Sequence, residues 1–361
     1  MQDLLLYALP VFIAAMVFEW AWGRWRGRDT YGWADTLSSL SQGLLSQAVA
    51  AVTPLLQSGI YAWVLQRVHG FHGLHAGRWN TPLGWVLVVL CYDFCDYWLH
   101  RASHESALFW AAHAVHHQSE HFNLSTALRQ ESFYSVMGFP FFLPLALLGF
   151  STGQFLTAGM VVLLYQFWIH TEHIGRLGWL DRVFSTPSNH RVHHAVNPGY
   201  LDRNYGAMLV VWDRLFGTFA EETEPCVYGT VTPLANWNPL WGVAQFYAEI
   251  GRRVARTPRW QDKLRVIFKS PGWQAPGMAP VDADEAAARL HRPKFDPPLS
   301  LASRIAAGCV FVACALGMGA WLMQEDTLPF SAQLLAALLL VAALWCMGRC
   351  LRDPSSPVAP R

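Results

Sequence analysis

The 361-residue chain is 53% hydrophobic and only 14% charged, with a net charge of +1. Soluble globular chains average about 25% charged residues, so the composition points to a membrane, and the lack of a basic excess argues against nucleic acid as a partner. Eighteen Trp fit the same reading, since amphipathic rings collect at membrane–water interfaces, and seven Cys with no Cys-x-x-Cys pair read as small buried hydrophobes.

The first apolar run, Leu4–Trp22, is long enough for a membrane helix, which needs about 20 apolar residues. Met1-Gln2-Asp3 lacks the basic start of a signal peptide. Arg24, Arg26 and Arg28 follow the run and place that end in the cytoplasm by the positive-inside rule. A second apolar region, Leu37–Val68, is dotted with Ser and Gln and too long for one untilted span, which predicts a kink at Pro54. The third, Leu83–Leu99, ends on a histidine box. Phe133–Phe150 and Phe155–Trp168 form an apolar hairpin, and Leu301–Met323 with Leu328–Met347 a closing pair. Counted from an external N-terminus, these crossings leave every histidine box on the cytoplasmic face. Arg67 and Arg78 then fall in an outer loop, against the charge rule.

Between the hairpin and the closing pair, seven cations from Arg252 to Lys269 interleave with Val254, Trp260, Leu264, Ile267 and Phe268. This stretch reads equally as an amphipathic segment on an anionic leaflet or as an ordinary solvated helix. Pro271-Gly272-Trp273 and the Pro-rich run to Pro298 read as loop. Four units follow: N-terminal transmembrane helices (1–80), a catalytic domain (81–235), a cytosolic amphipathic and loop segment (236–300) and a C-terminal transmembrane pair (301–361). The fold class expected is all-α, a polytopic membrane protein with a cytosolic helical cap carrying a histidine-rich dinuclear metal site.

Eleven of fifteen histidines fall between His100 and His194, eight of them in three boxes: His100/His104, His113/His116/His117 and His190/His193/His194. A spacing of four puts His100 and His104 on one helical face, within reach of one metal. Asp93 and Asp96 continue that stripe, where a carboxylate can accept the second ring N–H of a ligand histidine. In each His-x-x-His-His box the first two histidines share a face and the third is rotated by about 100°, so one box can serve two metals. His-Glu-x-x-His is absent from the first box, and a single Zn needs only three or four ligands. Imidazole alone suits Fe, Cu, Ni and Zn. Eight to ten such ligands at a bilayer edge favour a dinuclear site, and iron is the metal whose O₂ chemistry such a site would exploit.

The boxes resemble those of the membrane fatty acid hydroxylase/sterol desaturase superfamily. Asn123-Leu-Ser-Thr-Ala-Leu-Arg-Gln130, Leu164-Tyr-Gln-Phe-Trp-Ile-His-Thr-Glu172, Thr186-Pro-Ser-Asn-His-Arg-Val-His-His194, Asn204-Tyr-Gly206 and Trp212-Asp-Arg-Leu-Phe-Gly-Thr-Phe219 are similar to its ether-lipid-cleaving branch, the alkylglycerol monooxygenases. Val227-Tyr-Gly229 and Phe268-Lys-Ser-Pro-Gly-Trp273 extend the similarity, which covers roughly Asp93 to Trp273. The resemblance implies two Fe ions, O₂ as oxidant and tetrahydrobiopterin as electron donor. Carried over, the ligands are His100, His104, His113, His116, His117, His170, His190, His193 and His194. His173 is a further candidate ligand, and His121 a structural or outer residue. Glu105 matches an acidic position of the branch and is assigned to the pterin site. Glu105, Asn123, Arg129 and Glu172 are the candidate catalytic residues.

Two other readings remain open at the level of sequence. One is a hydroxylase or desaturase acting on sterols, carotenoids or acyl chains and fed by a redox donor protein. The other is a metal transporter or sensor, disfavoured because the histidines cluster at helix ends rather than at the bilayer midplane. The expected partners are therefore a membrane lipid and O₂.

Overall fold

A computed structural model describes residues 2–53, 55–72, 78–277, 290–324 and 326–352. Pro54, the expected kink, and the first part of the Pro-rich loop, 281–289, lie outside the described residues. The described chain is helical, with isolated bridges Phe184–Leu209 and Ala195–Tyr228 and no strand among the described residues. Helices α1 (Gln2–Trp25), α2 (Trp33–Val52), α3 (Ile60–His72) and α4 (Pro82–Glu105) lead into α5 (Ala107–His117) and the short α6 (Leu124–Ala127). The hairpin α7 (Tyr134–Leu147) and α8 (Thr152–Trp168) precedes α9 (Pro187–His194) and α10 (Val211–Phe216). Then come α11 (Pro239–Arg256), α12 (Trp260–Phe268), α13 (Leu301–Leu322) and α14 (Phe330–Cys350).

Three described helices are long and apolar enough to cross a membrane, namely α4, α13 and α14. The second apolar region breaks into α2, a π turn over Leu55–Gly59, and α3. Its first half buries Asp35, Ser38, Ser39, Ser41 and Gln42, so α2 turns polar groups inward onto the protein rather than presenting a uniformly apolar surface. Those groups are used. Asp35 accepts hydrogen bonds from Ser119 Oγ (2.6 Å) and Glu120 N (3.0 Å), which pins the loop after α5. Gln42 donates to Pro239 O at 2.8 Å and ties α2 to the start of α11.

Two apolar clusters flank the centre of the molecule. One joins α2 to α13, α14 and Trp237, and the other packs Tyr61, Val88, Leu99, Phe142 and Leu145 from α3, α4 and α7. Helix α4 is the shared strut, packing on α5, α7 and α8. Its start is fixed by Pro82 at the first helical turn and by Thr81, whose side chain accepts from Gly84 N. Its last two turns deliver the first histidine box, His100 and His104, beside the histidines of α5 and α9.

Candidate metal centre

Nine of the expected histidines converge. His100, His104, His113, His117 and His193 form one group, and His116, His170, His190 and His194 a second. Within each group the available ring nitrogens lie within 4.8 Å of one another, and every member is buried. The groups abut, with the His117 ring stacked on His194 at 4.4 Å and His116 4.6 Å from His194. Helices α5 and α9 each contribute to both groups, but not in the way the spacing suggests. The i and i+4 members stay together, His113 with His117 and His190 with His194, while the i+3 members His116 and His193 cross over. Residues four apart differ by about 40° around a helix and residues three apart by about 60° in the other sense, so the middle histidine of each box is the one turned aside.

The chain's own acceptors decide where the ring protons sit. Nδ1 of His100 lies 2.7 Å from Tyr205 O, that of His116 3.0 Å from Arg129 O, that of His170 2.7 Å from Gln166 O, and that of His193 3.0 Å from Arg203 O. A carbonyl only accepts, so each of these four rings donates outward from Nδ1 and turns an Nε2 lone pair inward. The Nε2 atoms of His116 and His170 are 3.2 Å apart with both donors already committed, so neither can donate to the other. His104 and His193 each bury an Nε2 with no hydrogen-bond partner. Facing lone pairs and orphaned ring nitrogens are costly without a cation between them, and neutral imidazoles are what a metal requires. The residues fit metal ions in both groups.

Electrostatics agree. Burial, reinforced by neighbouring rings, holds His113, His117, His170, His190, His193 and His194 well below the ordinary histidine value, and burial takes His116 down to about 4. Aromatic walls close the site. Trp110 lies against His104 and His117, Tyr134 against His113, and Phe122, itself stacked on Tyr228, against His170 and His194.

The remaining expected residues lie elsewhere. His173 is in neither group; its Nε2 is 3.2 Å from Thr30 Oγ1. His121 packs over Gly32 and also joins neither. Glu105 is paired with Arg101 at 2.9 Å and half exposed at the end of α4. Asn123 caps α6 and donates to Thr30 O at 2.7 Å. Arg129 is fully buried and donates to Val115 O, Gln118 Oε1 and the hydroxyls of Ser38 and Ser39. Burial brings its guanidinium down to about 10, still charged at neutral pH. Glu172 is partly buried, and its backbone carbonyl accepts from Arg28. Burial raises its carboxyl above the ordinary value. Asp93, expected beside a ligand ring, instead accepts from Met208 N, Leu209 N and Trp212 Nε1 and anchors the loop after the third box.

Sequence reasoning missed the groups that orient the converging histidine rings. Glu131 Oε1 lies 2.7 Å from His113 Nδ1, and burial raises that carboxyl to about 8. The loop 202–206 is the larger omission. Arg203 O and Tyr205 O hold His193 and His100, and the Asp202 carboxylate lies 3.5 Å from His104 Nδ1. Between the two carbonyls, Asn204 has φ +55° and fixes the turn through Asn189 O (3.0 Å), Ala220 O (2.8 Å) and Ala220 N (2.8 Å). Asp213 closes it by accepting from Tyr205 N and Gly206 N, both at 2.7 Å. A Cβ on Gly206 would sit 2.4 Å from Leu209 O. The available signal was an acid opening an otherwise apolar hairpin and the Asn-Tyr-Gly run itself.

Known sequences resemble the stretch that carries this geometry. The fatty acid hydroxylase family model matches residues 85–218. Alkylglycerol monooxygenase from Xenopus tropicalis is 39% identical over 269 residues, covering 74% of this chain and 58% of that protein. Alkylglycerol monooxygenase from Homo sapiens is 38% identical over 282 residues, covering 77% and 61%. Ornithine lipid hydroxylase OlsE from Rhizobium tropici is 29% identical over 222 residues, covering 60% and 65%. The chain thus spans about three-fifths of the length of these alkylglycerol monooxygenases. No solved structure gives a significant match. With eight of the nine converging histidines on helices α4, α5 and α9 and the ninth just after α8, all inside the matched stretch, the part of the chain that builds the site is a fatty acid hydroxylase domain.

Proposed function

We propose that this chain is an integral membrane, non-haem diiron monooxygenase that cleaves O-alkyl glyceryl ethers with O₂ and tetrahydrobiopterin. The observation that carries the metal reading is the pair of histidine groups with lone pairs turned inward. The substrate reading rests on similarity to the alkylglycerol monooxygenases over about three-quarters of the chain. His100, His104, His113, His117 and His193 would hold one iron, and His116, His170, His190 and His194 the other. When bound, the irons supply O₂ activation strong enough to oxidise an unreactive C–H bond.

The protein's contribution is placement and exclusion of water. Backbone carbonyls keep the donors of His100, His116, His170 and His193 turned outward, so the lone pairs of these four rings need no reorganisation. Trp110, Tyr134 and Phe122 wall the centre with apolar surface and keep bulk solvent from competing with substrate. Overall, one oxygen atom enters the C–H bond beside the ether oxygen. The other leaves as water, with two electrons from the pterin and two protons. The resulting hemiacetal breaks its C–O bond to give a fatty aldehyde and free glycerol hydroxyl. A lipid can remain in its leaflet while the ether reaches the histidines at the end of α4, on the face assigned to the cytoplasm by the charge rule.

The test is turnover of a glyceryl ether by purified, iron-loaded protein with tetrahydrobiopterin, read as aldehyde release. The expected result is pterin-dependent aldehyde that disappears in His190→Ala. Two irons per chain without ether cleavage, but with hydroxylation of another membrane lipid, would move the substrate toward the chemistry of the ornithine lipid hydroxylase relative.

A further inference from the structure

We infer that α12 is a docking surface for the anionic bilayer surface. The helix has two faces. Asp262 and Val266 are buried against the protein, while Trp260, Leu264 and Phe268, one helical turn apart, are 66%, 47% and 59% exposed. Lys263 and Arg265 lie about 100° to either side of that apolar stripe. Arg252, Arg256, Arg259 and Lys269 add exposed cations on the neighbouring turns. Between Arg252 and Lys269 there are seven cations and one carboxylate, in a chain whose total net charge is only +1. An apolar stripe bordered by concentrated positive charge complements a lipid surface bearing anionic headgroups.

The fold sets the depth. Helix α4, apolar enough to cross a membrane, ends at Glu105. Ala107 N then donates to Lys269 O at 2.8 Å, so the end of α12 is tied to the level at which the chain emerges from that span. The platform is firm. Helix α12 packs on α5 and α11, and Arg253 donates to the carbonyls of Pro271 and Trp273 just beyond it. A soluble partner would have to reach a surface already held at the edge of the bilayer. Lipid is the occupant that is always there.

The inference rests on the membrane placement of α4 and not on the chemistry of the histidines. Its test is hydroxyl-radical footprinting of the full chain in nanodiscs of phosphatidylcholine alone or with phosphatidylglycerol. Trp260 and Phe268 should oxidise at least about fivefold more slowly in the anionic discs, the attraction of one well-placed cation being worth about that factor. The difference should collapse near 1 M salt, where screening shortens to about 3 Å, and in an Arg256→Gln/Arg259→Gln/Lys263→Gln variant. Equal rates in the two discs overturn the inference, whether both are fast (a bare face or one kept for a soluble protein) or both slow (apolar docking without anion recognition). Leu316 and Leu338, exposed on α13 and α14, report membrane placement separately, because they should be protected in both discs.

Discussion

Asn204→Ala is the perturbation that separates holding a ligand from being one. Asn204 hydrogen-bonds through its side chain to Asn189 and Ala220 rather than to a histidine, is 2% exposed and stands between the two carbonyls that orient His193 and His100. Its removal leaves Asn189 O, Ala220 O and Ala220 N without their side-chain partners, at about 1 kcal/mol each. Alanine at φ +55° adds about another 1–2 kcal/mol, so the variant should be destabilised by about 4–5 kcal/mol. If the loop relaxes, the first histidine group loses its fixed rings, and loss of such outer partners costs about 10–100-fold in metal affinity. The assay is metal per chain at limiting free iron, alongside thermal unfolding in detergent. The Ala variant should keep metal in the second group and lose it from the first. Asn204→Gly, which tolerates the left-handed turn, should lie between Ala and wild type. Full metal at wild-type affinity in a variant that shows the stability loss would refute the positioning argument, as would equal loss from both groups.

Three further outcomes follow from the same geometry. His190→Ala should remove metal from the second group, whereas His173→Ala and His121→Ala should leave metal content unchanged; metal loss in either of the latter two would enlarge the ligand set. Stability of the metal-free protein should fall as pH drops from about 6.5 toward 4, because His116 is held neutral to about 4 in the fold while the unfolded chain takes up its proton first; at about 1.4 kcal/mol per pH unit this one ring is worth about 3 kcal/mol. The unfolding temperature measured at about pH 7 and about pH 5 checks it, and a flat or rising trend would contradict the buried neutral state. Chelator should strip iron in two phases, with Glu131→Gln accelerating only the slower one; a single phase would mean that the two groups are equivalent.

The convergence of the histidines is legible in the sequence because a helix converts spacing into direction. His100 with His104 and each His-x-x-His-His box have few ways to point, and the apolar runs between them restrict how the helices pack. Assignment of the middle histidine to the opposite group was not legible, because a 40° and a 60° offset separate only once the neighbouring helix is in place. The orienting groups were less legible still. Arg203 and Tyr205 act through backbone oxygens, which any residue carries, so side-chain chemistry gives no hint of them. Asp93 misled for the opposite reason. It lies on the α4 stripe, but three N–H donors from the loop 208–212 claim its carboxylate. The tertiary role of the buried serines and Asp35 on α2 is not legible either, because the surrounding stretch is apolar in composition.

The outer partners make the two groups chemically unequal. Nine imidazoles bring no charge, so any negative charge near the centre must come from behind them. The first group has five rings, with Glu131 2.7 Å behind His113 and Asp202 3.5 Å from His104. The second has four, and the acceptors behind His116 and His170 are the neutral carbonyls of Arg129 and Gln166. Ionised behind a metal-bound His113, Glu131 would make that ring a stronger donor and offset part of the charge of a cation in the first group. Among the described residues no carboxylate is hydrogen-bonded to a ring of the second group, and the residue whose carbonyl holds His116 is itself a buried guanidinium that stays charged at neutral pH. A cation there would be held by fewer ligands and would remain more positive. That is the side at which an anionic oxygen species or the ether oxygen of a lipid would be drawn in, and the side from which a chelator should remove metal first.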